Sequence, residues 1–336
     1  MRLKLRGFLL IFFLGALLAT CGMTLLPHDK YLRYQSLNDR SAPNSYWIYE
    51  RIHDDPTPID IAFIGTSRTG RSINTQRLQD DLSRQGVHVH AVNFHIVKTG
   101  RNMHYAVAKE LLSNRKVKLL VVEMTEVEDR KPHPDFIFLA DTRDVVLAPM
   151  FINARYFADL ARLPGRQVDL FLETAAQHFG WRTPEFTPPP YEGANLDRTE
   201  SLITLDGVTH SLGEQHTLAQ MEAMRIAQDS EVTPPVLPSA LDWLEYRFPR
   251  YYLERIMDMA ARNGTRVVFL YLPRYAGPAS PLPYERLYAK RVGLINPWSA
   301  LQDFRLWTDA VHVNGPGSQL ATDAVADSLV RDGYLR

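Results

Sequence analysis

The stretch IDIAFIGTSRTGRSIN, residues 59–74, decides the fold. Its apolar half, Ile59–Ile64, has the composition of a buried β-strand, and it runs directly into the small polar turn Gly65-Thr66-Ser67. Asn74 is a typical helix N-cap, so a helix is expected to begin just after this stretch. The pattern predicts a strand-to-helix connection that exposes the Ser67 hydroxyl beyond the carboxyl end of the strand.

Strands and helices alternate through much of the remaining chain. Further strands are expected at 87–97, 117–124, 265–273 and 292–297, and helices at 74–86, 102–114, 251–264 and 315–333. Strands rich in Val, Ile and Leu that alternate with helices form right-handed βαβ units around a parallel sheet. We therefore predict a three-layer α/β fold with a flavodoxin-like parallel sheet.

One long interval, at about 129–245, interrupts this alternation. It is predicted to hold helices near 151–163 and 168–179, then the proline-rich passage RTPEFTPPPYEG (182–193) and a polar helix near 218–227. Ligands of open α/β sheets bind beyond the carboxyl ends of the strands. An insertion that leaves the third strand at that end is therefore expected to form a wall or lid of the ligand crevice.

The amino terminus differs from the rest of the chain. Three basic residues in MRLKLR precede an uncharged apolar run, residues 8–26, which is close to the length of about 20 residues that crosses a membrane. This run is longer than the apolar core of a cleaved signal peptide. Because basic flanks stay in the cytoplasm, we expect a single-pass protein of the cell inner membrane, with its C-terminal domain in the periplasm or outside.

The expected organisation is a membrane anchor (1–28), a juxtamembrane segment (29–58) and an α/β domain (59–336) that contains the insertion. The single cysteine, Cys21, lies in the anchor within LATC (18–21), which resembles a lipoprotein cleavage site. Lipidation of Cys21 is the alternative to a small apolar residue inside a helix. A domain without cysteine can be exported without forming a disulfide.

Composition excludes some classes of function. Of the 336 residues, 45% are hydrophobic and 23% are charged, which is typical of a globular protein. Because 38 basic residues balance 38 acidic ones, no net charge favours nucleic acid as a partner.

A serine hydroxyl needs a base before it can act as a nucleophile. The stretch LWTDAVHVNGPG (306–317), just before the last predicted helix, contains Asp309 and His312. In such a turn a carboxylate three residues before a histidine can reach and orient its ring. Ser67, Asp309 and His312 are therefore the candidate catalytic residues. An alternative is an unrelated flavodoxin-like domain in which Ser67 only caps a helix, and it predicts Ser67 and His312 more than about 8 Å apart.

These blocks resemble the SGNH (GDSL-like) hydrolase superfamily, which carries its serine in a Gly-Asp-Ser block after the first strand and an Asp-x-x-His block before the final helix. The matching residues are Gly65-Thr66-Ser67, with Thr66 in place of the aspartate, and Asp309-Ala310-Val311-His312. A narrower resemblance is to membrane-anchored SGNH-like proteins encoded with extracellular polysaccharide synthesis. It is carried by the anchor and by the segments YLRYQSL, WIYERI and PTPIDIAFIGTSRTGRSI. Proteins of that kind are associated with adding or removing O-acetyl groups. The resemblance covers residues 59–125 and 265–330.

The resemblance also implies which groups would bind an oxyanion. The family uses the N–H of the serine, a glycine after strand two and an asparagine after strand three. Ser67 and Gly100 match the first two, whereas VVEMTEVEDR (121–130) holds acidic residues, which are unfavourable neighbours of an oxyanion, and no asparagine. Asn102, or a water held by Thr125, is the candidate substitute.

Basic and aromatic residues lie near these blocks in the sequence. Three arginines, Arg68 and Arg71 beside Ser67 and Arg101 after strand two, are predicted to be solvated surface residues or to line the site. In the site they would bind a carboxylated sugar, because guanidinium forks match carboxylates, or help to hold the oxyanion. Trp307 is the candidate for stacking on a sugar. Core packing is expected for the other aromatic residues that could stack on one: Tyr251, Tyr252 and Trp298.

No metal or other cofactor is expected. His88, His90 and His95 fall on one predicted strand, but neither a cysteine nor a cluster of carboxylates completes a ligand set. GTSRTG (65–70) lacks the GK[ST] ending of a phosphate loop.

Taken with the resemblance, these features predict a membrane-anchored SGNH-like O-acyl (acetyl) esterase or acyltransferase that acts on cell-envelope or secreted polysaccharide or another acylated sugar. Polysaccharide biosynthesis or export proteins are candidate partners. The alternative is a catalytically silent SGNH-like domain that binds glycan or organises polysaccharide export. The absent asparagine favours this alternative, and the intact Ser-Asp-His set argues against it.

Overall fold

The computed structural model describes residues 2–38, 40, 45–181, 191–203, 209–211, 213, 215–232, 235–281 and 292–335. The strands are β1 (Ile61–Gly65), β2 (Ala91–His95), β3 (Leu119–Met124), β4 (Ser201–Ile203), β5 (Thr209–Ser211), β6 (Arg266–Tyr271) and β7 (Gly293–Ile295). The helices are α1 (Arg2–Met23), α2 (Tyr31–Asn38), α3 (Ser45–His53), α4 (Ser67–Ser72), α5 (Thr75–Arg84), α6 (Arg101–Asn114), α7 (Phe136–Leu139), α8 (Thr142–Val146), α9 (Tyr156–His178), α10 (Leu218–Glu231), α11 (Asp242–Glu245), α12 (Arg247–Asn263) and α13 (Gly315–Arg331).

Five strands form one parallel sheet in the order β2-β1-β3-β6-β7, and β4 pairs with β5 in a separate antiparallel ribbon. β1 lies between β2 and β3, with Ile61 opposite Ala91 on one side and Leu119 on the other. The predicted α/β class and parallel sheet are confirmed. Because the strand order reverses at β1, a crevice opens beyond its carboxyl end, where ligands of such sheets bind.

Helices cover both faces of this sheet. Ala62 and Ile64 of β1 pack in a cluster with α3, α6 and α12, whereas Ile61 and Phe63 pack in a second cluster with α5 and α13. All five residues of β1 are buried, as expected for a strand at the centre of a parallel sheet. The carboxyl end of β1 is therefore a rigid base for the turn that follows.

Residues 29–58 contribute to this core. Tyr34 and Leu37 of α2, with Trp47 and Ile52 of α3, are buried in the cluster that includes α6. The Trp47 ring lies 5.5 Å from that of Phe94 in β2. The segment expected to be juxtamembrane thus packs directly against the α/β domain.

Several helix ends follow directly from local sequence. Asn74 caps α5 by accepting a hydrogen bond from the amide of Arg77 at 2.9 Å, as predicted. Gly264 follows α12 with φ of 71°, a left-handed conformation that suits glycine. Asn314 caps α13 by accepting from the amide of Gly317 at 3.1 Å.

The insertion differs from its prediction: it also contains α7, α8, α11 and the β4–β5 ribbon, and its longest helix was predicted as two. The two helices expected near 151–163 and 168–179 are one helix, α9, with Pro164 inside it. Its buried residues continue at helical spacing across the proline, from Asp159 through Leu163 and Gln167 to Leu170. Packing of this face outweighs the one hydrogen bond that proline removes. Most of the predicted proline-rich passage, residues 182–190, lies outside the described residues.

α1 is long and apolar enough to cross a membrane, over residues 5–23, and none of this span is buried against protein. Its large side chains, such as Phe8 and Leu10, are more than half exposed. Such a surface is unfavourable in water and suits a lipid environment.

Candidate active site

Ser67 lies where β1 meets α4. β1 ends at Gly65, Thr66 is the N-cap of α4, and Ser67 is the first residue of the helix. The Thr66 hydroxyl accepts a hydrogen bond from the amide of Arg68 at 3.1 Å. Thr66 therefore caps the helix, and the Ser67 hydroxyl is left for another partner.

A buried carboxylate from β3 holds this turn in place. Glu123 is 2% exposed, and its side chain accepts from the amides of Thr66 at 2.8 Å and Thr69 at 3.1 Å and from both threonine hydroxyls. Gly65 leaves the necessary room, because a Cβ there would lie 2.5 Å from Glu123 Oε2. Sequence reasoning missed this residue, whose role depends on the pairing of β1 with β3.

Asp309 and His312 lie in a tight loop closed by the antiparallel bridge between Trp307 and Val313. Asp309 Oδ1 accepts from the amides of Val311 at 2.8 Å and His312 at 2.9 Å. The carboxylate is therefore oriented by its own loop.

α13 connects this loop to the serine turn. The hydroxyls of Ser318 and Thr322 both donate to the Ser72 carbonyl oxygen at 3.2 Å, and the amide of Asn74 donates to Thr322 Oγ1 at 3.1 Å. Because α13 follows His312 closely and α4 begins at Ser67, these bonds bring together two residues that are 245 positions apart in sequence.

Ser67, His312 and Asp309 form a continuous hydrogen-bonded chain. Ser67 Oγ lies 2.8 Å from His312 Nε2, and His312 Nδ1 lies 2.8 Å from Asp309 Oδ2. The alternative in which Ser67 only caps a helix predicts a separation above about 8 Å, so it is wrong. With Nδ1–H donated to the carboxylate, Nε2 can accept the serine proton.

Asp309 is an anion throughout the physiological pH range. Burial raises its pKa, but hydrogen bonding and charge attraction from the His312 ring, with the amides of Val311 and His312, outweigh burial and lower the pKa to about 2. A permanently ionised carboxylate fixes the His312 ring and stabilises its protonated form during a reaction.

Two backbone amides that could bind an oxyanion follow neighbouring strands. Within the described chain, neither the Ser67 nor the Gly100 amide donates a hydrogen bond to protein. β1 and β2 lie side by side, with Gly65 opposite His95, so both amides lie beyond the same edge of the sheet. Gly100 has φ of 147°, and a Cβ there would lie 2.6 Å from the amide nitrogen of His133, so only glycine fits.

Each candidate substitute for the third oxyanion donor makes one side-chain hydrogen bond within the described chain. Asn102 is 1% exposed, and its Oδ1 accepts from the amide of His133 at 2.9 Å. The Thr125 hydroxyl donates to the Val127 carbonyl oxygen at 3.0 Å. The contact of Asn102 engages only its acceptor oxygen, so the Nδ2–H donors have no protein partner in the described chain, and Thr125 Oγ1 can still accept from a water. The described residues therefore provide two backbone donors, and Asn102 remains the side-chain candidate for a third.

Two of the three arginines singled out by sequence form internal ion pairs. Arg68 donates to Glu126 at 2.8 Å and to the Leu272 carbonyl oxygen at 3.0 Å. Arg101 is 4% exposed and donates to both carboxylate oxygens of Glu128, at 2.5 and 2.9 Å. Arg101 is thus buried in an ion pair, which does not match a solvated or ligand-binding role, whereas Arg68 is paired with Glu126 but also lines a cavity at this end of the sheet.

Arg71 is placed differently. It lies one turn after Ser67 on α4, and its only ion pair in the described chain is with Asp309 Oδ2, at 3.9 Å. Burial lowers the pKa of Arg71, and the attraction of Asp309 opposes that effect. Arg71 is therefore the predicted arginine whose N–H donors remain available beside the site.

Trp307 is a core residue in the structure. It is 1% exposed, its Nε1 donates to the Leu301 carbonyl oxygen at 3.0 Å, and its ring contacts Tyr275 edge-on. This burial does not match the predicted stacking on a sugar, and Trp307 instead anchors the loop that carries Asp309 and His312. Of the other aromatic residues considered for stacking on a sugar, Tyr252 is buried, and Tyr251 and Trp298 donate hydrogen bonds to backbone carbonyls.

A cavity of about 400 Å³ begins at Arg68, the residue after Ser67, and most of its lining residues are charged or carry a hydroxyl; Ser67, Asp309 and His312 are not among them. Thr99 and Glu126 line it from the loops after β2 and β3, and Lys131 and Glu231 line it from the insertion. Charged and hydroxyl groups in a concave surface suit a polar ligand such as a sugar. The insertion thus contributes a wall at this end of the sheet.

Among the described residues, no group of three or more His, Cys, Asp or Glu side chains could hold a metal ion. His95, at the end of β2, lies against Gly70 of α4, where a Cβ would come within 2.5 Å of its ring. Burial, reinforced by the charges of Arg198 and Arg71, lowers the pKa of His95 to about 4. This histidine is thus a neutral packing partner of the serine helix.

No protein-family model matches the chain, and a search of curated proteins found no similar sequence. What the site can do therefore has to follow from its geometry. A hydroxyl, an oriented imidazole and two unengaged amides are the groups that acyl transfer requires.

Proposed function

We propose that the protein is an SGNH-like O-acyl esterase or acyltransferase that α1 anchors in the cell inner membrane. The observation that carries the proposal is the chain of contacts from Ser67 through His312 to Asp309, with both linking distances at 2.8 Å. This arrangement has the order and spacing of a nucleophile, a general base and an orienting carboxylate.

In the proposed reaction, Ser67 Oγ attacks the carbonyl carbon of an acyl ester while its proton passes to His312 Nε2. The carbon–oxygen bond to the leaving alcohol then breaks, and His312 returns the proton to that alcohol oxygen. An acyl group remains on Ser67. Water, or a hydroxyl of an acceptor sugar, then attacks the acyl carbon and gives its proton to His312. The bond from the acyl carbon to Ser67 Oγ breaks, and His312 passes the proton to Oγ, which releases the free acid or the new sugar ester and restores the serine.

The amides of Ser67 and Gly100 are the proposed oxyanion donors. Removing one such donor costs about 10²–10³ in rate in enzymes of this type. Rigidity of both donors favours this role, since Glu123 holds the serine turn and His133 packs against Gly100.

A polysaccharide or another acylated sugar is the proposed substrate. The charged and hydroxyl side chains that line the cavity beside Arg68 and the available guanidinium of Arg71 support a polar ligand. The catalytic domain would lie in the periplasm or outside, where polysaccharide biosynthesis or export proteins are candidate partners.

The test is turnover of 4-nitrophenyl acetate and of an O-acetylated polysaccharide by the full-length protein in detergent. We expect Ser67→Ala and His312→Ala each to reduce ester turnover by at least about 10³-fold, because a triad loses most of its function with either member. Ser83→Ala, at an exposed serine on α5, is the matched control and should leave the rate unchanged. Equal turnover by all four proteins would contradict the proposal.

A second candidate is a silent domain that binds glycan without turning it over. The observation that favours it is the loop after β3, at residues 125–130, which holds acidic residues and no asparagine. Glycan binding that is unchanged in Ser67→Ala, together with no turnover by the wild type, would support this candidate.

A further inference from the structure

A cluster of large apolar side chains lies exposed between α8 and the first turn of α9. We call it the α8–α9 patch, and its members are 40–70% exposed: Val146, Leu147, Met150, Phe151, Ile152 and Phe157. Single exposed apolar residues are ordinary on a protein surface, but a group of this size marks an interaction surface.

The patch lies on the elements that hold the end of α1. The Thr142 hydroxyl, at the start of α8, donates to the Thr24 carbonyl oxygen at 3.1 Å. On α9, Gln167 Nε2 donates to the Leu26 carbonyl oxygen at 3.2 Å. α8 and α9 are therefore fixed to the segment that leaves the apolar helix.

The direction of α9 places its first turns toward α1. The amide of Asp29 donates to Thr174 Oγ1 at 3.0 Å, so the chain from Leu26 to Asp29 runs in the same direction as α9 from Gln167 to Thr174. Going back along α9 from Gln167 to Phe157 therefore leads toward α1, over about 15 Å at the helical rise per residue. α1 also contacts α9 directly.

We propose that the α8–α9 patch inserts into the interfacial region of the bilayer that α1 crosses. The inference rests on the proposed membrane anchoring and adds a second point of contact, which holds the domain at a fixed orientation against the lipid surface. The flanking residues agree with this occupant. Arg162 is exposed and can pair with lipid phosphates, and Tyr156 is an aromatic residue of the kind enriched at membrane interfaces.

The test uses spin labels in full-length protein reconstituted into vesicles of phosphatidylethanolamine and phosphatidylglycerol. Cys21→Ala removes the native thiol, and single cysteines then replace Leu14 in α1, Phe151 in the patch or Leu320 on α13. Leu320 is a matched exposed apolar control, because α13 covers the opposite face of the sheet from the cluster into which α9 packs. Relaxation by oxygen, which partitions into lipid, is compared with relaxation by a water-soluble nickel chelate.

We expect the Phe151 label to favour oxygen over nickel, as a label in lipid does, and the Leu320 label to favour nickel. A Phe151 label that matches Leu320 would overturn the inference, and so would one shielded from both reagents, which would mean that protein covers the patch. The Leu14 label tests the anchor separately. If Leu14 favours nickel, the anchoring proposal fails whatever Phe151 reports.

Discussion

Glu123 in β3 accepts a hydrogen bond at 2.8 Å from the amide of Thr66, the residue directly before Ser67. The nucleophile turn is thus fastened to a neighbouring strand by a carboxylate that never reaches the reacting atoms. The other half of the site is held by α13 and by the loop around Asp309. The distance between Ser67 and His312 therefore depends on two separate supports.

Glu123→Gln should slow acylation of Ser67 while leaving substrate KM close to the wild-type value, because the amide group cannot accept from all four donors of Thr66 and Thr69. Hydrogen bonds to a buried charged group are worth about 1.5–3 kcal/mol, so the free energy of unfolding should fall by a comparable amount. Ester kinetics and denaturant unfolding in detergent check both effects. Glu254→Gln, at an exposed carboxylate on α12, is the control; the interpretation fails if the two variants behave alike.

Arg68→Gln should destabilise the fold. It would leave Glu126 without its guanidinium partner in a nearly buried position, and breaking such a pair typically costs about 3–5 kcal/mol. Thermal unfolding of the full-length protein measures the change. A wild-type melting temperature would show that this ion pair is dispensable.

Arg71→Gln should have the opposite profile, with little effect on stability and a clear effect on substrate use. Its guanidinium forms only a long ion pair with Asp309 within the described chain. We expect KM for acetylated sugars that carry a carboxylate to rise about tenfold, with KM for neutral acetyl esters unchanged, since one charged contact is worth about 1.4 kcal/mol or more. Equal changes for both substrates would argue against a contact between Arg71 and the sugar.

Gly100→Ala should lower activity by about 10²-fold or more, because an added Cβ collides with His133 and displaces the Gly100 amide. The left-handed φ of 147° adds backbone strain for alanine. Gly165→Ala in α9 is the matched control, since its Cβ would meet no atom within 4 Å. Full activity of Gly100→Ala would remove this amide from the mechanism.

The lowered pKa of His95 should make the folded protein less stable as the pH falls into the mildly acidic range. Its pKa is lowered to about 4 in the folded chain, so the unfolded chain binds a proton first as pH falls below the ordinary value of 6.5. Stability from this group is complete above about pH 6.5 and is lost toward pH 4, by up to about 3 kcal/mol. Unfolding of His95→Gln at several pH values should show a flatter dependence between pH 6.5 and 4; an unchanged slope would contradict the assignment.

The sequence predicted the features that depend on local chemistry. Apolar runs predicted the five strands of the parallel sheet but not the β4–β5 ribbon, Asn74 and Gly264 predicted helix ends, and the alternation of elements predicted the sheet itself. Strand-to-helix turns carry the side chains that such a sheet gathers at one edge. The sequence therefore predicted that the turns with Ser67 and His312 lie close together.

Features that depend on distant partners could not be read in this way. Arg101 resembled a surface residue, but Glu128 neutralises it in the interior. Glu123 was expected to be an unfavourable neighbour of an oxyanion, but its carboxylate accepts a hydrogen bond from the serine turn on the neighbouring strand. Trp307 lies close to His312 in sequence, yet packing against Tyr275 turns it into the core. Each outcome depends on which elements meet, and spacing alone does not reveal that.

The central claim is that His312 activates Ser67 as a nucleophile, and labelling with a fluorophosphonate probe tests it most directly. The full-length protein should be labelled on Ser67, as located by peptide mass spectrometry, and labelling should be lost in His312→Ala, with Ser83→Ala labelled like the wild type. Folded protein that is not labelled, or labelling that survives His312→Ala at the wild-type rate, would contradict the claim.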